Sequence, residues 1–215
     1  MGLDAATIRF ETADGVALEG DVAVPERPRA AAVVCHPHPR YGGDRHHPIV
    51  ASLHEALPAI GVASLRFDVR PDADRGDGAR LDTEAALREV VRRADGAPAV
   101  VLGYSFGART ALDLVGSAPG DDGAGDRSPV AAIAIAPPLG HGDPPGAPTA
   151  PTLLIVAGHD RFAPLDVVRP IVDGWARAEV RVLGTADHFL AGHVGAVTSA
   201  SVEWLAAVLD GRAGR

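Results

Sequence analysis

The chain has 215 residues, 47% of them apolar, and a net charge of −8, which allows one substantial core and argues against a nucleic-acid partner, since that would need a basic face. No apolar run approaches the length of a membrane span, and Met1-Gly2-Leu3-Asp4 shows no basic segment leading into an apolar one. These features lead us to expect one domain over residues 1–215, cytoplasmic, with neither a signal peptide nor a membrane partner.

In chain order, Thr7 to Glu11 and Val16 to Ala23 alternate in polarity around Asp14-Gly15, which predicts a β-hairpin. Ala30 to Cys35 is a continuous apolar run of the kind shown by a strand buried on both faces. Its Cys35 reads as an inert, packed thiol. A loop follows, His36-Pro37-His38-Pro39-Arg40-Tyr41-Gly42-Gly43-Asp44, then a helix from about His47 to Leu57 and a strand from Val62 to Phe67. Leu81 to Arg93 has the periodicity of a second amphipathic helix. Ser117 to Pro129 has almost no large apolar residue and reads as a surface connector. Two more buried strands, Val130 to Ala136 and Thr152 to Ala157, are separated by a segment too rich in Pro and Gly to build a lid. Pro164 to Trp175 predicts a helix, Glu179 to Leu183 a strand and Val194 to Leu209 a last helix. The sum is an α/β fold with a mostly parallel sheet of about eight strands, antiparallel at its start and covered by helices on both faces.

Gly103-Tyr104-Ser105-Phe106-Gly107 stands where the strand Pro98 to Leu102 gives way to a helical stretch, Ala108 to Val115. That is the context of a nucleophile elbow, in which a sharp turn holds a serine exposed at the strand end. The first amide of the new helix, Phe106 N–H, would face the same spot and favour an anion there.

A nucleophilic serine needs a base and an orienting acid. Asp160 follows Thr152 to Ala157, and His188 follows Glu179 to Leu183, so both would reach the edge where Ser105 emerges. The order Ser, Asp, His is that of hydrolases built on open α/β sheets. Asp160 also reads as a helix cap, His193 and His141 compete with His188, and Asp187 competes with Asp160. The His36–Asp44 loop would supply a second oxyanion donor. Pro37 and Pro39 have no N–H, which leaves His38, while His36 reads as structural.

His36, His38, Asp44, His46 and His47 raise a metal-dependent alternative, but the spacing is not a compact ligand set and prolines separate the first two. The primary reading requires no metal and no cofactor.

These motifs resemble the α/β-hydrolase superfamily over nearly the whole chain. His36-Pro37-His38-Pro39 with Gly42-Gly43, Leu65-Arg66-Phe67, the elbow, Ala136-Pro137-Pro138 and Ala186-Asp187-His188-Phe189 resemble, more narrowly, compact and mostly lidless bacterial hydrolases related to dienelactone hydrolases and serine peptidases. The resemblance implies carboxylesterase-like acyl transfer on Ser105 with a small-molecule acyl substrate. Relatives often turn through Arg-Gly after the Arg66-Phe67 strand, whereas this chain continues Asp68-Val69-Arg70-Pro71-Asp72.

Aromatic residues are scarce, yet Tyr41, Phe162 and Phe189 adjoin the candidate residues and predict an apolar acyl or aryl pocket. Arg40 and Arg161 would attract a carboxylate on the substrate. Tyr104 reads as packed beneath the loops. A hydrolase fold kept as a binding or scaffold protein is the remaining alternative, and oligomeric state is not legible.

Overall fold

The computed structural model describes residues 3–74, 77–116, 128–140 and 142–212. Most of the expected connector Ser117 to Pro129, and His141, lie outside the described residues. Eight strands form one sheet: β1 (Leu3–Glu11), β2 (Ala17–Pro25), β3 (Ala30–Cys35), β4 (Val62–Phe67), β5 (Ala99–Tyr104), β6 (Ala131–Ile135), β7 (Thr152–Ala157) and β8 (Ala178–Leu183). Their spatial order is β1-β2-β4-β3-β5-β6-β7-β8. The hairpin β1–β2 and the pair β2–β4 are antiparallel, and every later pairing is parallel. Parallel neighbours need crossovers, and four of the five helices supply them: α1 (Pro48–Ala56), α2 (Gly78–Arg93), α3 (Phe106–Gly116) and α4 (Leu165–Val172), with α5 (Val194–Leu209) closing the chain.

Strand alternation divides the core. On β3, Ala30, Ala32 and Val34 face the layer of α1 and α5, while Ala31, Val33 and Cys35 face α2. Further along the sheet, Leu154 and Val156 meet α3 and α4 through Ala108, Leu112, Val168 and Val172. β3, β5, β6 and β7 are buried along their whole length, which is why they read as unbroken apolar runs instead of alternating ones.

Several boundaries differ from expectation, and α2 begins at Gly78, three residues ahead of Leu81. The hairpin strands are longer than their alternating segments, because β1 pairs in register from Leu3↔Pro25 to Glu11↔Ala17 on an exposed edge where no apolar pattern is demanded. The first helix is tightened into a 3₁₀ turn at Leu57–Ile60, ended by Gly61 at φ +75°. The helix expected to run to Trp175 stops at Val172, and Pro170 within it removes an amide donor from an already short ladder. Between β6 and β7 the described residues form neither helix nor strand. Among the described residues no helix is long and apolar enough to cross a membrane.

His54 on α1 is buried and lies 2.9 Å, through Nδ1, from the Ser64 hydroxyl on β4. Burial, helped by the nearby Arg66 charge and opposed by Asp21, pulls its pKa down from 6.5 to about 4. The folded protein therefore keeps His54 neutral where the unfolded chain protonates it. Its contribution is complete above pH 6.5 and is lost as pH falls from there towards about 4, by up to about 3 kcal/mol. Urea midpoints at pH 7.5 and pH 4.5 measure this loss. Burial lowers the His36 and His47 pKa values as well, so wild-type protein loses stability on acidification and His54→Leu should lose less. Equal losses in the two proteins would contradict the assignment to His54.

Candidate active site

β5 ends at Tyr104 and α3 begins at Phe106, so Ser105 alone makes the turn. Its φ is +53°, a left-handed conformation that disfavours a residue with a Cβ and costs about 1–3 kcal/mol unless the surroundings impose it. They do so through backbone on both sides. The Ser105 amide donates to Ile135 O on β6 at 2.8 Å, and its carbonyl accepts the Arg109 amide at 3.1 Å. A Cβ on Gly103 would fall on the Gly107 carbonyl, and one on Gly107 would fall on Cys35 of the neighbouring strand. Glycine at both places lets helix, turn and strand close up, which is the physical content of the motif.

The parallel strands bring Asp160 and His188 to the same edge. His188 Nε2 lies 2.9 Å from Ser105 Oγ, and His188 Nδ1 lies 2.8 Å from Asp160 Oδ2. Asp160 and His188 are both buried. Asp160 Oδ1 accepts the Phe162 and Ala163 amides at 2.8 and 3.0 Å. The cap reading of this aspartate therefore applies as well, on the other oxygen, and to the turn before α4 instead of to the helix itself. Burial pushes the Asp160 carboxyl up, but the hydrogen bonds from His188 and the two amides outweigh it and hold the group below its usual range. An ionised Asp160 obliges Nδ1 to carry the imidazole proton and leaves Nε2 as an acceptor for the serine hydroxyl.

The rival residues stand elsewhere. His193 is turned to Thr185 Oγ1 and Ala191 O, and Asp187 is exposed and accepts the Phe189 amide.

The loop after β3 folds against the elbow. The His38 and Phe106 rings are 5.0 Å apart between centroids. Phe106 N–H opens α3 and so has no acceptor within the helix, and among the described residues no acceptor is found for the His38 amide. The His38 ring accepts the Arg40 amide at 3.1 Å through Nδ1, and its Nε2 lies 3.6 Å from Asp74. Gly43 is needed because a Cβ there would strike the Pro37 carbonyl. His36 is buried; its Nε2 accepts the Val69 amide at 3.1 Å, so its Nδ1–H donates to Pro37 O at 2.6 Å. It joins the loops that follow β3 and β4, and burial lowers its pKa.

With both His36 nitrogens engaged, His38 Nδ1 occupied and His47 Nδ1 capping α1, the histidine-rich segment does not converge on one point. Among the described residues no group of three or more His, Cys, Asp or Glu side chains could hold a metal ion. Cys35 is buried, and burial pushes its thiol up to about 12, which keeps it protonated at neutral pH.

The candidate aromatic residues gather around His188 and His38. The Phe162 ring lies tilted against His188, 4.7 Å between centroids, and meets Phe189 edge-on at 6.2 Å, and Phe189 is 5.9 Å from His188. Tyr41 lies on the other side, 5.3 Å from His38. All three rings are exposed, Tyr41 at 89%. Arg40 is paired with Asp74 at 3.3 Å, so its charge is partly neutralised; Arg161 is exposed and has no acidic partner among the described residues.

Two contributors were not legible in sequence. Asp74, in a polar loop, braces His38 and Arg40 from outside any motif. Tyr104 is buried as expected, but its hydroxyl donates to the His188 carbonyl at 2.8 Å, a bond between residues 84 apart in the chain.

A scan of family models finds none that matches. An uncharacterized protein of Rickettsia prowazekii is 34% identical over 106 residues, a stretch covering 46% of this chain and only 44% of that protein. A crystal structure from Agrobacterium tumefaciens, described as a putative α/β hydrolase of unknown function, is 26% identical with a TM-score of 0.81, covering 96% of this chain and 97% of its own. An α/β serine hydrolase without a lid from Xanthomonas campestris is 25% identical with a TM-score of 0.74, covering 94% and 95%. With the sheet order and the strand–turn–helix elbow, these likenesses over nearly the full chain make the protein a member of the α/β-hydrolase superfamily.

Proposed function

We propose that the protein is a serine hydrolase that cleaves a small ester, thioester or amide through an acyl-enzyme, with carboxylesterase-like chemistry. One observation carries the reading: the unbroken relay from Ser105 Oγ to His188 Nε2 at 2.9 Å and from His188 Nδ1 to Asp160 Oδ2 at 2.8 Å, with the serine in its left-handed turn.

In this reading His188 takes the Ser105 proton on Nε2 as Oγ bonds to the substrate carbonyl carbon. Asp160 holds the tautomer and stabilises the imidazolium. The carbonyl oxygen becomes an anion against the Phe106 and His38 amides, where one such donor is worth about 3 kcal/mol in the transition state. His188 then returns the proton to the leaving group as the tetrahedral intermediate collapses. Water repeats the sequence on the acyl-serine and frees the acid. These steps use the side chains and amides of the chain together with substrate and water. The exposed aromatic rings of Phe162 and Phe189 favour an apolar acyl or aryl group lying across the surface. Arg161 is better disposed than Arg40 to meet a carboxylate, since Asp74 already occupies the latter.

The test is labelling with a fluorophosphonate probe, read by intact mass, on wild type, Ser105→Ala and His188→Ala. One adduct on wild type, none on Ser105→Ala and a labelling rate lowered by on the order of 10³-fold or more in His188→Ala are expected. Folded wild-type protein that takes no label would instead favour a binding or scaffold role.

A further inference from the structure

We propose that Tyr104 is a positioning residue for His188, acting through the main chain of the base and not through its ring. The inference rests on the serine-hydrolase reading above and names a part of that site absent from the Ser, His and Asp relay.

Strand alternation sets the direction of the Tyr104 side chain. On β5, Leu102 and Tyr104 project to the layer that holds α1 and α5, so the Tyr104 side chain leaves the strand beneath the catalytic edge and not along it. There it is buried in the same apolar cluster as Ala186 and Leu190, which stand two residues either side of His188. Its ring centroid lies 6.0 Å from that of His188 and 5.0 Å from that of His47. The hydroxyl then meets His188 O at 2.8 Å in a buried setting. Burial raises the phenol pKa, reinforced by the Asp160 and Asp187 charges, so the group remains a hydrogen-bond donor.

The loop that carries His188 is otherwise held by short-range or lateral bonds. Ala186 N donates to Leu183 O, Leu190 N to Asp187 O and His159 N to Ala186 O. Tyr104 and Ser105 are the residues at the end of β5 that grip His188, one at its carbonyl and the other at its ring. Adjacent residues on one strand end share a rigid backbone, itself pinned by Ser105 N to Ile135 O. The separation between Nε2 and Oγ is thus referred to a single anchored unit, and small errors in such a separation are costly to rate. Without the hydroxyl the His188 carbonyl is buried and unpartnered, and the loop must shift to satisfy it.

The experiment is Tyr104→Phe, which keeps the ring and removes only the hydroxyl. Its fluorophosphonate labelling rate is expected to fall about tenfold relative to wild type. On a short acyl ester the loss should appear in kcat with KM little changed. The decisive comparison is Tyr104→Phe in the Asp160→Asn background, where His188 no longer acts as a base and its placement ceases to matter. There the added loss should shrink to less than about twofold. A second readout needs no turnover: the downfield proton NMR signal of the His188 Nδ1–H shared with Asp160 should shift or broaden in Tyr104→Phe. Labelling of Tyr104→Phe at the wild-type rate overturns the inference while leaving the serine-hydrolase reading intact. So does an equal tenfold loss in the Asp160→Asn background, which marks a general structural effect. Failure of wild type itself to label overturns the underlying reading, and this inference with it.

Discussion

Asp160→Asn should slow labelling of Ser105, and hydrolysis of any ester the protein accepts, on the order of 10⁴-fold, the scale associated with a histidine held in the wrong tautomer. The geometry makes the direction unambiguous. An asparagine at this position has one oxygen, and two backbone donors, Phe162 N–H and Ala163 N–H, already require an acceptor where Oδ1 stands. The new NH₂ must therefore face His188 Nδ1. That nitrogen becomes the acceptor, Nε2 acquires the proton, and an Nε2–H cannot take the serine proton. Because the turn keeps both amide bonds, the variant should fold normally, with a thermal midpoint near that of wild type. A folded Asp160→Asn protein that labels within tenfold of wild type would remove Asp160 from the proposed relay.

The second large effect lies at the base of the neighbouring loop. Arg70→Met should destabilise the protein by about 3 kcal/mol, seen as a fall of roughly 10 °C in Tm. Asp82 on α2 is fully buried, and Arg70 satisfies it three times: Nε and Nη2 donate to Oδ1 at 2.8 and 2.6 Å, and the Arg70 amide donates to Oδ2 at 2.8 Å. The same guanidinium reaches across to Asp14 of the β1–β2 turn at 2.6 and 3.0 Å and holds that carboxyl well below its usual range. Methionine preserves much of the packing but strands a buried carboxylate with one backbone donor, and that surviving bond places the loss at the low end for a broken buried pair. The double variant Arg70→Met, Asp82→Asn should recover part of the loss, since no charge is then left unpaired. A single variant within 1 kcal/mol of wild type by urea unfolding would contradict the account. The stretch Asp68-Val69-Arg70 has a bracing role of its own. Asp68 takes the Arg45 amide, Val69 donates to His36 and Arg70 ties α2 to the first hairpin, so this stretch braces the chain around the loops at the site.

Much of the architecture was readable because burial on both faces demands continuous apolar strands, as in Ala30–Cys35 and Thr152–Ala157, and because glycine punctuates turns that other residues cannot make. The helix end at Val172 and the start of β1 at Leu3 were not, since the first depends on where a proline falls in a short ladder and the second on pairing at a solvent-facing edge.

For the site, sequence order and strand ends sufficed to nominate Ser105, Asp160 and His188, since parallel strands must deliver their carboxyl ends to one edge. Sequence could not choose between a cap and a charge partner for Asp160, a choice the fold avoids by using a different oxygen for each. His193, the rival to His188, is turned instead to Thr185 and Ala191. The sheet and the elbow are legible in the chain because they follow from local periodicity, glycine sterics and strand direction. Which donors meet which acceptors, as in Tyr104 on His188 and Arg70 on Asp82, emerges with packing, because such pairs join distant segments whose approach leaves no mark in local composition.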